Sequence, residues 1–254
     1  ERMLRWLGIQ LSSLTIQDDD VTREALTIED CTQFDARDGT IPGDISSAAF
    51  MMAAAALLPG SRLRINQVGL NPTRTQLLPV LRSLGVDVRI SSGQRGLTRL
   101  AEDFHEPVGD ISVTGGAGLA PVEPGRSNVL GGALIPRLID ELPVLAVLGS
   151  QVLGGISIRD AGELRIKESD RISATVRNLR AMGAEVFEHE DGLTIAERTP
   201  LRGAQLDAHN DHRIAMAFTV AALIAEGESE MAGAECVGVS YPEFFQSLES
   251  LTER

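Results

Sequence analysis

The chain has 254 residues, enough for one large domain or two smaller ones, and an apolar share of 43% that suits an ordinary globular protein. Its formal net charge of −13 argues against a nucleic-acid or anionic-membrane surface, and no run approaches the ~18 apolar residues of a membrane-spanning helix. Two cysteines, Cys31 and Cys236, make neither a metal-ligand cluster nor a disulfide framework, which fits a reducing, cytoplasmic compartment. On so acidic a chain, the Lys and Arg that bind an anionic substrate must be concentrated in one place.

Glu1 to Gly8 reads as the last turns of a helix, apolar at Met3, Leu4 and Leu7 and closed by Gly8. A helix without a starting cap looks cut, so material is expected upstream and no targeting signal is read there. Beyond it a unit recurs: buried helix, strand, loop, amphipathic helix, strand. It opens near Pro42, Pro136 and Asn210. Helices apolar almost all round are expected over Ser46 to Leu58, Leu142 to Leu153 and Ile214 to Ala225, each too short to cross a membrane. Amphipathic helices are expected over Thr73 to Leu84, Ser169 to Met182 and Pro242 to Leu251. The last of these carries Phe244, Phe245, Leu248 and Leu251 on its apolar stripe. Strand-like runs over Val108 to Val113 and Gly192 to Ile195 finish units. The simplest packing is an α/β fold of three such units, with the buried helices bundled inside and sheets outside. Residues 1–41 then read as the tail of a preceding domain, and residues 42–254 as most of a C-terminal one.

Each unit sets polar residues at the start of its buried helix. Ser46 and Ser47 read as caps. Asp140 and Glu141 are two adjacent carboxylates, more than one cap requires. His212 and Arg213 stand where the helix dipole disfavours cations, and a bound anion is the obvious group to offset that cost. The charged stretch Leu164-Arg-Ile-Lys-Glu-Ser-Asp-Arg-Ile172 enters the second amphipathic helix. On a helix Lys167 and Arg171 share a face, with Glu168 beside Lys167. Alone, the stretch reads first as a solvated helix start laced with ion pairs, and His105, His189 and His209 as loop or surface residues. Rough threefold symmetry changes the reading, because it brings the helix starts together. Lys167, Arg171 and Arg213 then form a cationic cluster, with Asp140 and Glu168 beside it as acid or base. An anion clamp with paired carboxylates implies chemistry on a phosphorylated or carboxylated small molecule. No P-loop, dinucleotide glycine motif, His-rich metal site or nucleophile elbow occurs in the sequence.

Five stretches carry a family resemblance: Pro42-Gly-Asp-Ile-Ser-Ser-Ala-Ala-Phe50, Asn71-Pro-Thr-Arg74, Ile139-Asp-Glu-Leu-Pro143, Leu164-Arg-Ile-Lys-Glu-Ser-Asp-Arg171 and Asn210-Asp-His-Arg213. In order and spacing the chain resembles the C-terminal part of the 5-enolpyruvylshikimate-3-phosphate (EPSP) synthase family. The resemblance implies an inside-out, barrel-like α/β domain of repeated βαβαββ units, with buried helices and outer sheets. It implies transfer of the enolpyruvyl group of phosphoenolpyruvate (PEP) to the 5-hydroxyl of shikimate 3-phosphate, with release of phosphate and with neither metal nor organic cofactor. Carried over by position, Asp140 assists proton removal from the acceptor, and Glu168 delivers a proton to the PEP methylene carbon. Lys167 stands at the boundary of the two substrates, Arg171 and Arg213 clamp PEP, and His212 lies beside it. Some relatives carry a PEP-binding lysine where this chain has Val239. The family's N-terminal substrate loops match nothing here, so a complementing N-terminal segment is an expected partner. Two readings stand as alternatives: a non-catalytic or complementing fragment, and an enolpyruvyl transferase acting on a UDP-amino sugar.

Overall fold

The computed structural model describes residues 1–18, 21–28, 36–91, 106–116, 118–121 and 128–252; Cys31 and His105 lie outside them. The chain opens on a short helix, α1 (Arg2–Trp6), and an antiparallel pair, β1 (Leu11–Asp18) and β2 (Val21–Ile28). Gly8 follows α1 at φ 82°, the left-handed conformation expected of a residue that closes a helix.

Three units follow. The first runs α2 (Ile45–Leu57), β3 (Arg62–Gly69), α3 (Leu77–Ser83), β4 (Asp87–Ser91) and β5 (Val108–Thr114). The second opens on β6 (Val129–Leu130) and a 3-10 turn over Gly132–Arg137. It continues through α4 (Leu142–Gly149), β7 (Ile156–Ile158), α5 (Arg171–Ala181), β8 (Val186–His189) and β9 (Gly192–Ile195). The third holds β10 (Gln205–Asp207), α6 (His212–Ala222), β11 (Glu230–Ala232) and α7 (Phe244–Thr252).

One pairing rule runs through all three. The strand before a buried helix pairs in parallel with the strand after it, as a helical crossover permits: β6 with β7, β10 with β11, and Gly43 with Val68 as a single bridge. In the first two units a hairpin then adds antiparallel, giving orders β3-β5-β4 and β6-β7-β9-β8. The second unit is thus a complete βαβαββ.

The three apolar helices α2, α4 and α6 pack against one another. All eight residues of α4 are buried, as are all four alanines of Ala53 to Ala56 on α2, so these helices have no solvent face to keep polar. On α6 the run Ile214 to Phe218 is buried without a break. Several bounds needed adjusting: α3 starts at Leu77 and not Thr73, behind a turn in which Asn71 accepts from Thr73 N at 3.0 Å, and α6 ends at Ala222 and not Ala225. Helix α4 ends at Gly149 and not Leu153, because Val152 leaves the helical path to bridge Leu119, and Gly154 and Gly155, at φ 79° and 64°, turn the chain into β7. On α7 only Phe244 and Leu248 enter the core, while Phe245 and Leu251 stay exposed.

Candidate functional site

The starts of α4, α5 and α6 and the turn before α3 meet around one carboxylate, Asp140. Arg74 Nη2 donates to its Oδ2 at 2.8 Å, Arg213 Nη2 stands 3.5 Å from the same oxygen, and Arg171 Nη1 lies 3.7 Å from Oδ1. Arg213 Nη1 also donates to the Asp140 carbonyl oxygen at 3.2 Å. Each unit therefore contributes one arginine: Arg74 the first, Arg171 the second, Arg213 the third. Partial burial works to raise the Asp140 pKa, but the Arg74 hydrogen bond and the charges of Arg213 and Arg171 outweigh it. The carboxyl sits below the ordinary aspartate range and is ionised at neutral pH.

Arg171 is the most enclosed of the three, with its side chain 1% exposed. Its Nε donates to Asp211 Oδ2 at 2.7 Å and its Nη2 to Glu168 Oε2 at 2.5 Å. Asp211, fully buried, also accepts from Ser169 Oγ at 3.1 Å. Burial opposes its ionisation, yet the Arg171 bonds hold its pKa below the usual range. Glu168 is different: half of its side chain is exposed, so it can leave Arg171 without opening the core.

Local structure explains these placements. The residues Gly162–Ile166 form a 3-10 turn, and Lys167 is extended. Asp170 then caps α5 by accepting from Ser173 N at 3.0 Å, which makes Arg171 the first helical residue. The helical face expected to join Lys167 to Arg171 therefore does not exist. Lys167 pairs back with Glu163 instead, while Arg171 turns inward. Arg165 anchors the stretch from outside through Asp170, Glu188 and the carbonyls of His189 and Glu190.

At the start of α6, His209 and Asn210 adopt left-handed φ values of 51° and 56°, an uncommon pair of non-glycine residues in that region. They deliver Asp211 to the cap position, where its side chain accepts from Arg213 N at 2.9 Å. A bound anion is thus not required to explain cations at this helix start. Asp211 supplies the negative charge, and His212 is neutral because burial, aided by Arg213, lowers its pKa.

Ser46 is no cap: Asp44 caps α2 by accepting from Ser47 N at 2.7 Å. Ser46 instead lies buried, donating to Glu141 Oε1 at 2.5 Å and accepting from Arg74 Nη2 at 2.9 Å. Glu141 is buried too, and that burial raises its pKa against the pull of Ser46, Arg74 and Arg213. The structure therefore brings together Asp140, Glu168, Arg171 and Arg213, with His212 on the first turn of the same helix as Arg213 and Lys167 to one side, paired with Glu163. Sequence reasoning assigned no site role to Arg74, Glu141 or Asp211, although each sits inside one of the quoted motifs. Val239 is exposed in the 3-10 turn over Ala234–Val239. Two apolar clefts along α2, bordered by β3 and α7, are lined by none of the site residues. Among the described residues no group of His, Cys, Asp and Glu is arranged to hold a metal ion.

Relatives include the 3-phosphoshikimate 1-carboxyvinyltransferase of Koribacter versatilis, 49% identical over 222 residues, which are 87% of this chain and 49% of that protein. The Synechococcus enzyme of the same name is 43% identical over 251 residues, 99% of this chain and 52% of that protein. The chain spans about half the length of the curated relatives it matches. The EPSP synthase of Acinetobacter baumannii superposes with a TM-score of 0.82 at 30% identity, over 98% of this chain and 53% of that one. The enolpyruvyl transferase NikO of Streptomyces tendae shares the fold at 19% identity, with a TM-score of 0.65. The pattern of the family described as EPSP synthase (3-phosphoshikimate 1-carboxyvinyltransferase) matches residues 1–248. The chain belongs to the EPSP synthase family.

Proposed function

We propose that this chain carries one wall of an active site that transfers the enolpyruvyl group of PEP to the 5-hydroxyl of shikimate 3-phosphate and releases phosphate. The observation that carries the proposal is the convergence of Arg74, Arg171 and Arg213, one from each unit, on the ionised Asp140. Residues 42–254 are the larger part of one domain and residues 1–41 belong to the other, with the facing wall supplied by a complementing N-terminal segment. The substrates are small and anionic, and a protein of net charge −13 meets them through a local cationic cluster and not a basic surface. We place the reaction in the cytoplasm.

The residue types suit the reaction. Protonation of the PEP methylene carbon leaves a cationic centre at C2, and the acceptor hydroxyl attacks it as its own proton departs. The tetrahedral intermediate then loses a proton from the new methyl group and the phosphate from C2, which restores the enol ether. Asp140, held ionised, takes the acceptor proton. Glu168 gives and recovers the proton on the methylene carbon. Arg213, Arg171 and Lys167 hold carboxylate and phosphate charge, with neutral His212 as a hydrogen-bonding neighbour. Glu168 rests on Arg171 Nη2, so a substrate carboxylate arriving at that arginine displaces a half-exposed side chain, which takes up from solvent the proton it then delivers.

The experiment is phosphate release from PEP, with shikimate 3-phosphate and a UDP-amino sugar offered separately as acceptors. The chain is assayed alone and with the N-terminal half of a family member supplied. The proposal expects release only from the supplemented chain and only with shikimate 3-phosphate. Release with the UDP-amino sugar, or full turnover by the chain alone, contradicts it.

A further inference from the structure

Asp140 and Glu141 are consecutive residues whose carboxylates are joined by a path through the first unit. Asp140 Oδ2 accepts from Arg74 Nη2 at 2.8 Å; the same nitrogen donates to Ser46 Oγ at 2.9 Å; and Ser46 Oγ donates to Glu141 Oε1 at 2.5 Å. Ser46 and Glu141 are each only 3% exposed. A buried carboxylate and serine are costly to keep unless they hold something in place. What they hold is Arg74, whose carboxylate partner Asp140 lies just before α4, in the second unit.

The other groups facing Asp140 are Arg171 from α5 and Arg213 from α6, backed by Glu168 and Asp211. Both arginines approach at 3.5 to 3.7 Å, longer than a hydrogen bond, while among the described residues Arg74 alone makes a side-chain hydrogen bond to the carboxylate, at 2.8 Å. Arg171 lies nearer Oδ1 and Arg213 nearer Oδ2, so without Arg74 the carboxylate is free to rotate between them.

We propose that Arg74 is a positioning residue for Asp140, seated by Ser46 and Glu141, which ties Oδ2 to the protein and leaves Oδ1 as the oxygen that takes the acceptor proton. The assignment rests on the transfer reaction proposed above for its kinetic consequence, but its structural half stands separately. Arg74 commits its Nη2 to both Ser46 and Asp140, so its removal is expected to strike the proton-transfer step more than substrate affinity.

The test compares Arg74→Met and Arg74→Lys with wild type, each supplemented with the N-terminal half of a family member, with Arg89→Met as control at an exposed pair on β4. Arg74→Met is expected to lower kcat by roughly 10- to 100-fold, the loss typical of a displaced reacting group, with the KM for PEP within about twofold. The acidic limb of its pH–rate profile moves to higher pH, because Asp140 loses its closest cation, and Arg74→Lys restores part of both. An increase in KM with kcat unchanged makes Arg74 a substrate ligand and overturns the assignment, as does a pH profile that does not move.

A carbon-13 titration of the Asp140 carboxyl in the 254-residue chain gives a readout that needs no turnover. The assignment expects a higher midpoint in Arg74→Met than in wild type and a wild-type midpoint in Arg89→Met. An unchanged midpoint in Arg74→Met overturns it. If wild type itself releases no phosphate, the reaction proposal fails and this titration still decides the role of Arg74.

Discussion

Arg171 and Asp211 form a buried ion pair, Nε to Oδ2 at 2.7 Å, with side chains 1% and 0% exposed. It joins the start of α5 to the start of α6, and so fixes where the second and third units meet. Asp211 has two duties, because it also caps α6 through Arg213 N. Replacing it by Asn removes the charge and leaves Arg171 enclosed with only the half-exposed Glu168 and the more distant Asp140 to compensate. The expected loss is about 3–5 kcal/mol of unfolding free energy, the usual cost of breaking one side of a buried pair. Urea unfolding followed by circular dichroism reads it.

Glycines separate two kinds of constraint. Gly155 has φ 64°, and a Cβ there would meet the Ile195 carbonyl oxygen at 2.0 Å, on the neighbouring strand β9. Gly60 has φ 77° but open space around it. Gly60→Ala should cost only the left-handed backbone penalty, about 1–2 kcal/mol. Gly155→Ala must also push two strands apart, and is expected to cost more than about 4 kcal/mol or to prevent folding. Thermal melts of the two variants, side by side, check the ordering.

The acidic groups predict a pH dependence with opposite signs. Asp140 and Asp211 have folded pKa values below their unfolded ones. The stability they contribute is present above the ordinary aspartate value near 3.9 and is lost as pH falls through the depressed folded values. Acid unfolding should begin below about pH 4 and be shallower in Asp211→Asn. Glu141 is raised by burial, so its contribution is present at low pH and lost as pH rises through its folded pKa. Glu141→Gln should therefore gain in melting temperature relative to wild type as pH rises above the ordinary glutamate value of about 4.3. A constant difference across that range would contradict the buried-carboxylate account.

The architecture was legible because periodicity reports burial directly. Three helices apolar all round can only be core, and their spacing implied three units with sheets outside. Two details escaped for local reasons. Lys167 and Arg171 look like helical neighbours until Asp170 is recognised as the cap that starts α5 after them. Ser46 and Ser47 look like equivalent caps, but Asp44 takes that role and frees Ser46 for a bond to Glu141, 95 positions away in sequence. Long-range side-chain pairing has no periodic signature, so Arg74 gave no sign of its role beyond membership of a quoted motif, and Glu141 stood out only as a carboxylate beyond what one cap requires. The proposed roles of Asp140, Glu168, Arg171 and Arg213 came from the symmetry argument and the family resemblance. The structure adds that one buried acid, Asp211, holds two of their elements together.

If the reaction runs at Asp140, the kcat of Asp140→Asn is the quantity that must fall. The variant keeps the shape of the side chain and removes its capacity to take a proton. Assayed with the N-terminal half of a family member, it should lose about 10²- to 10⁴-fold in kcat, the usual worth of a general base, with PEP affinity largely kept by Arg171 and Arg213. Turnover at the wild-type rate would show that the chemistry lies elsewhere.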